Sequence, residues 1–220
     1  MLAQDLINTV LPQLKLTDTV DTALQLMNDY KITHLPVVSE EKYLGMISED
    51  HLLDEKDRQI PIEYFQNDFI PAFVNSSRHF LSAVTVSNHY QTNLIPVVSE
   101  THELMGSISG QDLLAALGNF SGANEPGAVI VLEMERVRFS ISEISRIVES
   151  DGAQILHLNI TIKPGSTLMM VTLHLNKREL STIVASFERY EYNIIYYAGE
   201  EQFENKIDLN YKNLMNYLDI

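Results

Sequence analysis

Two stretches of this chain carry the same five residues, PVVSE at 36–40 and PVVSE at 96–100. Working outward from them at a spacing of 60, Ala23 falls on Ala83, Tyr30 on Tyr90, and LPVVSE on IPVVSE without a gap. One residue is then added in the second copy, after which GMISEDHLL (45–53) matches GSISGQDLL (106–114). Repetition that extends this far beyond a pentapeptide marks an internal duplication, and the two copies are expected to share one fold.

Each copy has the same internal order. Thr17, Asp18 or Thr19 can cap a helix in which Val20, Leu24 and Met27 fall on one face. The second copy offers Ser76 and Ser77 before Phe80, Ala83 and Val84. Short, β-branched apolar runs follow at His34–Val38 and Leu94–Val98, too short for helices and therefore read as buried strands. A polar turn leads to a second strand, Tyr43–Ile47 or Leu104–Ile108. Ser48 and Ser109 then stand where a helix N-cap belongs, before Leu52-Leu53 and Leu113-Leu114.

An apolar residue followed by PVV, a polar turn and G-h-h-S-x-x-D-h-h closely resembles the cystathionine-β-synthase (CBS) domain. Two in tandem resemble a Bateman module covering residues 1–117, with repeat 1 at 1–57 and repeat 2 at 58–117. The resemblance implies a pseudo-twofold pair with clefts that bind adenosine-containing ligands in many members, so AMP, ADP, ATP or S-adenosylmethionine is the expected ligand. Carried onto this sequence, the expected nucleotide-binding residues are Ser109, Asp112, Ile95 and Pro96.

The chemistry supports those types. A serine at a helix start lies beside unpaired N–H groups and a positive dipole end, which suits phosphate. A carboxylate one turn later can accept both hydroxyls of a ribose. The plainer alternative is that Ser109 only caps and Asp112 only favours the helix dipole. Repeat 1 departs from the pattern: Ser48 is retained, but His51 stands at the Asp112 position and Asp50 comes one residue early, about 100° around a helix. Ser48 and His51 are thus the weaker site, and Ile95 and Pro96 are candidate walls for an adenine in the stronger one.

GNFSGANEPG (118–127) reads as a linker. Beyond it Ala128–Met134 reads as a strand, and Ile141, Ile144, Ile147 and Val148 mark a helix. Leu156, Leu158, Ile160 and Ile162 alternate with Ile155, His157, Asn159 and Thr161, KPGS turns, and Met169, Val171, Leu173 and Leu175 alternate back, a hairpin with one buried face. Leu180, Ile183, Val184 and Phe187 mark a second helix and Asn193–Ala198 a last strand. The order βαββαβ over 128–199 is a ferredoxin-like sandwich, and its place after the repeats resembles an ACT-type domain, so that the whole is similar to the acetoin-utilisation B-type proteins. The fold class is therefore α/β (α+β). Amino-acid-binding ACT domains carry a glycine where the first strand meets the first helix, whereas this corner, ERVRFSIS, has Phe139 and Ser140. Pairing or partner contact is the alternative role. Residues 200–220 place Phe203, Ile207, Tyr211, Leu214 and Leu218 on one helical stripe, for packing on the domain or across a dimer.

Composition narrows the rest. The chain has 30 acidic and 15 basic residues, a net charge of -15, and no basic cluster, which argues against binding nucleic acid or an anionic membrane. No apolar run approaches the roughly 18 residues of a membrane span, and MLAQDLINTV has no basic, apolar and small-residue sequence of an export signal. The absence of cysteine removes disulfides, Cys-ligated zinc and thiol catalysis. A cytoplasmic location is expected. No phosphate-loop, nucleophile-elbow or zinc-protease motif occurs, and the seven histidines do not pair at helical spacings. No enzyme activity, catalytic residue, metal or required cofactor is expected. The function expected is a regulatory sensor, acting as a homodimer on an unidentified protein partner. The alternative is a ligand-free scaffold for dimerisation and interaction.

Overall fold

The computed structural model describes residues 1–162 and 164–199, so the helix expected over 200–220 lies outside the described residues. The chain divides into two compact units, Met1–Leu117 and Gly118–Ile220.

In the first unit, repeat 1 contains β1 (Leu14–Lys15), α1 (Val20–Tyr30), β2 (His34–Ser39), β3 (Lys42–Ser48) and α2 (Glu49–Leu53). Repeat 2 contains β4 (Val74–Asn75), α3 (Leu81–Tyr90), β5 (Leu94–Val98), β6 (Leu104–Ser109) and α4 (Gly110–Phe120). The sheets have the same order, β1-β2-β3 and β4-β5-β6, with the first pair parallel and the second antiparallel. Even the irregularities coincide. Val37 faces Gly45 and Val97 faces Gly106, and each register shifts directly after that pair. The PVV residues are buried in both copies, so the repeated pentapeptide is the middle of each sheet.

Helix ends follow local chemistry. Thr19, of the three candidates, caps α1 by accepting the Thr22 N–H at 3.2 Å. Neither Ser76 nor Ser77 caps α3. Asn75 closes a side-chain turn with the Ser77 N–H (3.1 Å) and hydroxyl (2.8 Å), and Leu2 bridges to His79, so helical geometry begins only near Phe80.

Each repeat is completed by chain from across the midpoint. Residues 2–8 run along repeat 2: the Ala3 N–H donates to Arg78 O (2.8 Å) and the Asn8 N–H to Ser107 O (2.8 Å). Ile70 exchanges two 2.8 Å hydrogen bonds with Met46 of repeat 1, and the buried Tyr43 hydroxyl donates to Ala72 O at 2.5 Å. The repeats also join one another symmetrically, Tyr43 N–H to His102 O (3.1 Å) and Leu104 N–H to Glu41 O (3.0 Å).

The second unit contains β7 (Ala128–Glu135), α5 (Ile141–Ser150), β8 (Ile155–Ile162), β9 (Leu168–Leu175), α6 (Ser181–Arg189) and β10 (Asn193–Ala198). Its sheet order, β10-β7-β9-β8 with every pair antiparallel, is that of the ferredoxin-like sandwich. Ile130, Leu132, Val171 and Leu173 form a core with Ile144, Ile147, Ile183 and Phe187 of the helices. α4 continues through residues 118–120 of the expected linker. The hairpin's single buried face holds for β9 but not for β8, where Leu156, Ile160 and Ile162 are 41%, 39% and 47% exposed. β8 is the sheet edge and its register shifts after Ile155, so its apolar side chains lie at the rim of the core.

Candidate functional site

Ser109 ends β6 opposite Leu94, and its position is fixed by that register. Its hydroxyl accepts the Asp112 N–H at 3.0 Å and donates to Asp112 Oδ2 at 2.6 Å. The Gly110 N–H donates to Asn93 O at 2.7 Å. Two of the N–H groups at the start of α4 are therefore already satisfied, and the serine serves as its N-cap. Asp112 is half-buried, and its Oδ1 accepts no hydrogen bond among the described residues. That oxygen is the open acceptor of the site.

Ile95 is placed differently from the expectation. Ile95 is 0% exposed and packs with Val74, Phe80, Ala83 and Ile108 in the core of repeat 2. Its side chain is committed to that core, because β5 is the middle strand of its sheet and Ile95 faces the helices. Pro96 is buried opposite Ser107. Side-chain walls for an adenine are therefore not formed by Ile95.

In repeat 1 the buried Ser48 likewise caps its helix, accepting the His51 N–H at 3.4 Å, and its Oγ stands 2.7 Å from His51 Nδ1. His34 is the strand partner of Ser48, and its own Nδ1 lies 2.9 Å from Thr33 Oγ1. Burial holds the His34 imidazole below its ordinary pKa; the Asp50 carboxylate works against that shift and His51 adds to it.

Between these places lies a pair of residues that the sequence reading passed over. The Thr33 N–H donates to Asn93 Oδ1 (3.1 Å), and Asn93 Nδ2 donates to Lys31 O (2.8 Å). Thr33 and Asn93 occupy the same position of the two copies, each a polar residue just before the apolar strand, which was the available signal. Their main-chain carbonyls accept the first N–H of α2 (Glu49, 2.9 Å) and of α4 (Gly110, 2.7 Å). They therefore tie both helix starts to one centre.

Two cavities lie elsewhere. One of about 280 Å³ is lined by Thr9, Leu11, Pro12 and Gln13 against Leu104, Met105, Gly106 and Ser107, and one of about 420 Å³ by Glu135, Arg136, Val137, Ser166 and Thr167. Neither includes Ser109 or Asp112. No group of three or more His, Asp or Glu side chains among the described residues is arranged to hold a metal ion, and no helix among them is long and apolar enough to cross a membrane.

Residues 3–58 match the family model of the CBS domain. Among solved structures the chain is similar to a CBS domain pair/ACT domain protein from Thermotoga maritima, at 24% identity over 55% of this chain and 98% of that one, with a TM-score of 0.50. It is also similar to an acetoin utilization protein from Vibrio cholerae, at 20% identity over 56% and 95% with a TM-score of 0.46. A third is CBSX2 in complex with AMP, at 21% identity over 54% and 97% with a TM-score of 0.45. The Thermotoga likeness is one of fold.

Proposed function

We propose that the chain, whose residues 3–58 match the CBS-domain family model and whose second unit has the ferredoxin-like sheet order, is a non-enzymatic regulatory sensor built on a tandem CBS pair and an ACT-like domain, binding an adenosine-containing nucleotide in repeat 2. The observation that supports this most is Asp112. One of its carboxylate oxygens is held by Ser109 at 2.6 Å while the other is unengaged among the described residues, at the start of a helix and partly open. A carboxylate held in that way is oriented to accept a ribose hydroxyl without further rearrangement, and such a charge-assisted hydrogen bond contributes about 1.5–3 kcal/mol. His51 at the equivalent point offers a ring already engaged with Ser48, so occupancy is unequal between the two clefts.

Binding is read out through a homodimer. Leu53 and Leu114, at matching positions of α2 and α4, are 52% and 70% exposed and supply an apolar surface for a second copy. A ligand that favours one dimer geometry then changes what a protein partner meets. The cytoplasm is the compartment that suits an adenine-nucleotide sensor.

The test is thermal unfolding with AMP, ADP, ATP and S-adenosylmethionine. One ligand at 100 times its Kd should add about 2.7 kcal/mol, and Asp112→Ala should remove the gain. No response across the panel sinks the reading. It would favour instead the ligand-free scaffold, which the closed Ser109–Asp112 hydrogen bond supports; that reading predicts partner capture insensitive to nucleotide.

A further inference from the structure

The position that is weakest for a nucleotide has a chemistry of its own. Where repeat 2 has Leu94 and Asp112, repeat 1 has His34 and His51. The two histidines are 17 residues apart in the chain, yet both meet Ser48, one as its strand partner and the other through a 2.7 Å contact to its hydroxyl. We propose that His34 and His51 form a two-histidine site for a divalent ion of the zinc, nickel or copper(II) class.

The anchoring of the two rings fits such an ion. Each Nδ1 is engaged by a hydroxyl, Thr33 Oγ1 for His34 (2.9 Å) and Ser48 Oγ for His51 (2.7 Å). Anchoring one ring nitrogen fixes the orientation of the imidazole and leaves Nε2 as the ligating atom. Neither Nε2 makes a hydrogen bond among the described residues.

Asp50 supplies the counter-charge. Its carboxylate is exposed, acts electrostatically on His34, and accepts no hydrogen bond among the described residues. Imidazole nitrogen selects zinc, nickel and copper over magnesium and calcium, which take oxygen ligands. With two protein nitrogens the remaining coordination positions belong to solvent, as in an open rather than a closed site.

One other histidine pair exists on paper. His157 and His174 are strand partners in the second unit. Gly122 and Gly127 crowd the His174 ring: a Cβ on Gly122 would lie 3.4 Å from Nδ1, and one on Gly127 would lie 2.9 Å from Nε2. Backbone already occupies the approach to both nitrogens, so this pair serves as the control.

The experiment is calorimetric titration of the full chain with nickel chloride and with zinc chloride near neutral pH, without nucleotide. The expected result is one saturable site per chain, weakened more than tenfold in His34→Leu and in His51→Ala, and unchanged in the His157→Ala/His174→Ala double variant. His34→Leu installs the residue that repeat 2 carries at this position, which keeps the variant folded. Ring nitrogen NMR of the unaltered protein gives a second readout, in which zinc should shift His34 and His51 and no other histidine. No saturable binding, binding that survives both single variants, or binding lost in the double variant would each overturn the proposal. None of these outcomes depends on whether a nucleotide binds repeat 2.

Discussion

The two repeats agree wherever the chain has to fold and differ wherever it could bind something. Sheet order, the glycine opposite the first residue of each strand's Val-Val pair, the register shift that follows and the serine N-cap are common to both. The residues around the two helix starts are not. Repeat 1 places His34 beside Ser48 and His51, whereas repeat 2 places buried Leu94 beside Ser109 and Asp112. After duplication, packing constrains the first set of positions in both copies equally, while the second set is free to diverge in chemistry.

The sharpest way to break the equivalence is at the shared glycine. Gly45 has φ +151°, and a Cβ there would stand 2.8 Å from Phe69 Cβ and 3.2 Å from Ile70 O. Gly106 has φ +144°, and its Cβ would stand 2.6 Å from Ile7 Cγ2. Both backbones are strained for an L side chain, at about 1–3 kcal/mol. Phe69 Cβ is fixed to its backbone, whereas the Ile7 methyl can rotate away. Gly45→Ala should therefore lower stability by about 3 kcal/mol and Gly106→Ala by about 1–2 kcal/mol. Urea unfolding of the two variants measures the difference, and equal losses would mean that the arms pack alike.

Next comes the central pair. Asn93→Ala removes the acceptor for the Thr33 N–H and the donor to Lys31 O. It should cost about 2 kcal/mol, since a main-chain donor loses its partner. Thr33→Ala keeps the main-chain half of the link and should cost less than half as much. If the two substitutions prove equivalent by thermal melting, the asymmetry of this junction is wrong.

The caps should behave as a matched pair. Ser48→Ala and Ser109→Ala each remove the side-chain acceptor for the third N–H of a helix, worth about 1 kcal/mol. The loss should be similar in both despite the different residue each serine holds. A much larger loss at Ser109, measured by chemical denaturation, would mean that the Asp112 hydrogen bond stabilises the fold and not merely the orientation of a carboxylate.

How much of this was legible follows from how local each feature is. The period of 60, the buried Val-Val strands, a cap among Thr17, Asp18 and Thr19, and the βαββαβ order depend on short-range pattern, and all could be read from the letters. The exchange of residues 2–8 onto repeat 2 and of Ile70 onto repeat 1 could not, because these arms are too short for periodicity and their partners lie far along the chain. The Ser109–Asp112 contact was readable as a spacing of three on a helix start. The Thr33–Asn93 link and the pairing of His34 with Ser48, the serine that holds His51, were not. The first needs the junction between repeats, and the second needs a strand register that brings residue 34 to residue 48. A search for histidines at helical spacing passes over a pair assembled by a sheet. Ile95 misled for a related reason: apolar residues next to a cleft motif look the same whether they face the ligand or the core, and its strand orientation turns it to the core.

The smallest expected effect is a pH dependence that belongs to repeat 1 alone. The folded state holds His34 below its usual value of 6.5, mainly by burial, while the unfolded chain titrates near that value. Below it the unfolded state takes up a proton that the folded state resists, so the unfolded state binds more protons and stability decreases as the pH is lowered. The contribution is fully present above 6.5 and is lost as pH falls toward the folded pKa. Asp50 limits the effect by favouring the charged ring, and His51 enlarges it. His34→Leu places the repeat 2 residue at this position and removes the titrating group. Subtracting the variant's stability from that of the unaltered chain, pH by pH, cancels the carboxylates that both share. The difference should decline from neutral pH into the acid range. A difference that stays level on acidification would mean that Asp50 cancels the effect of burial, and one that rises would mean that Asp50, and not burial, governs the ring.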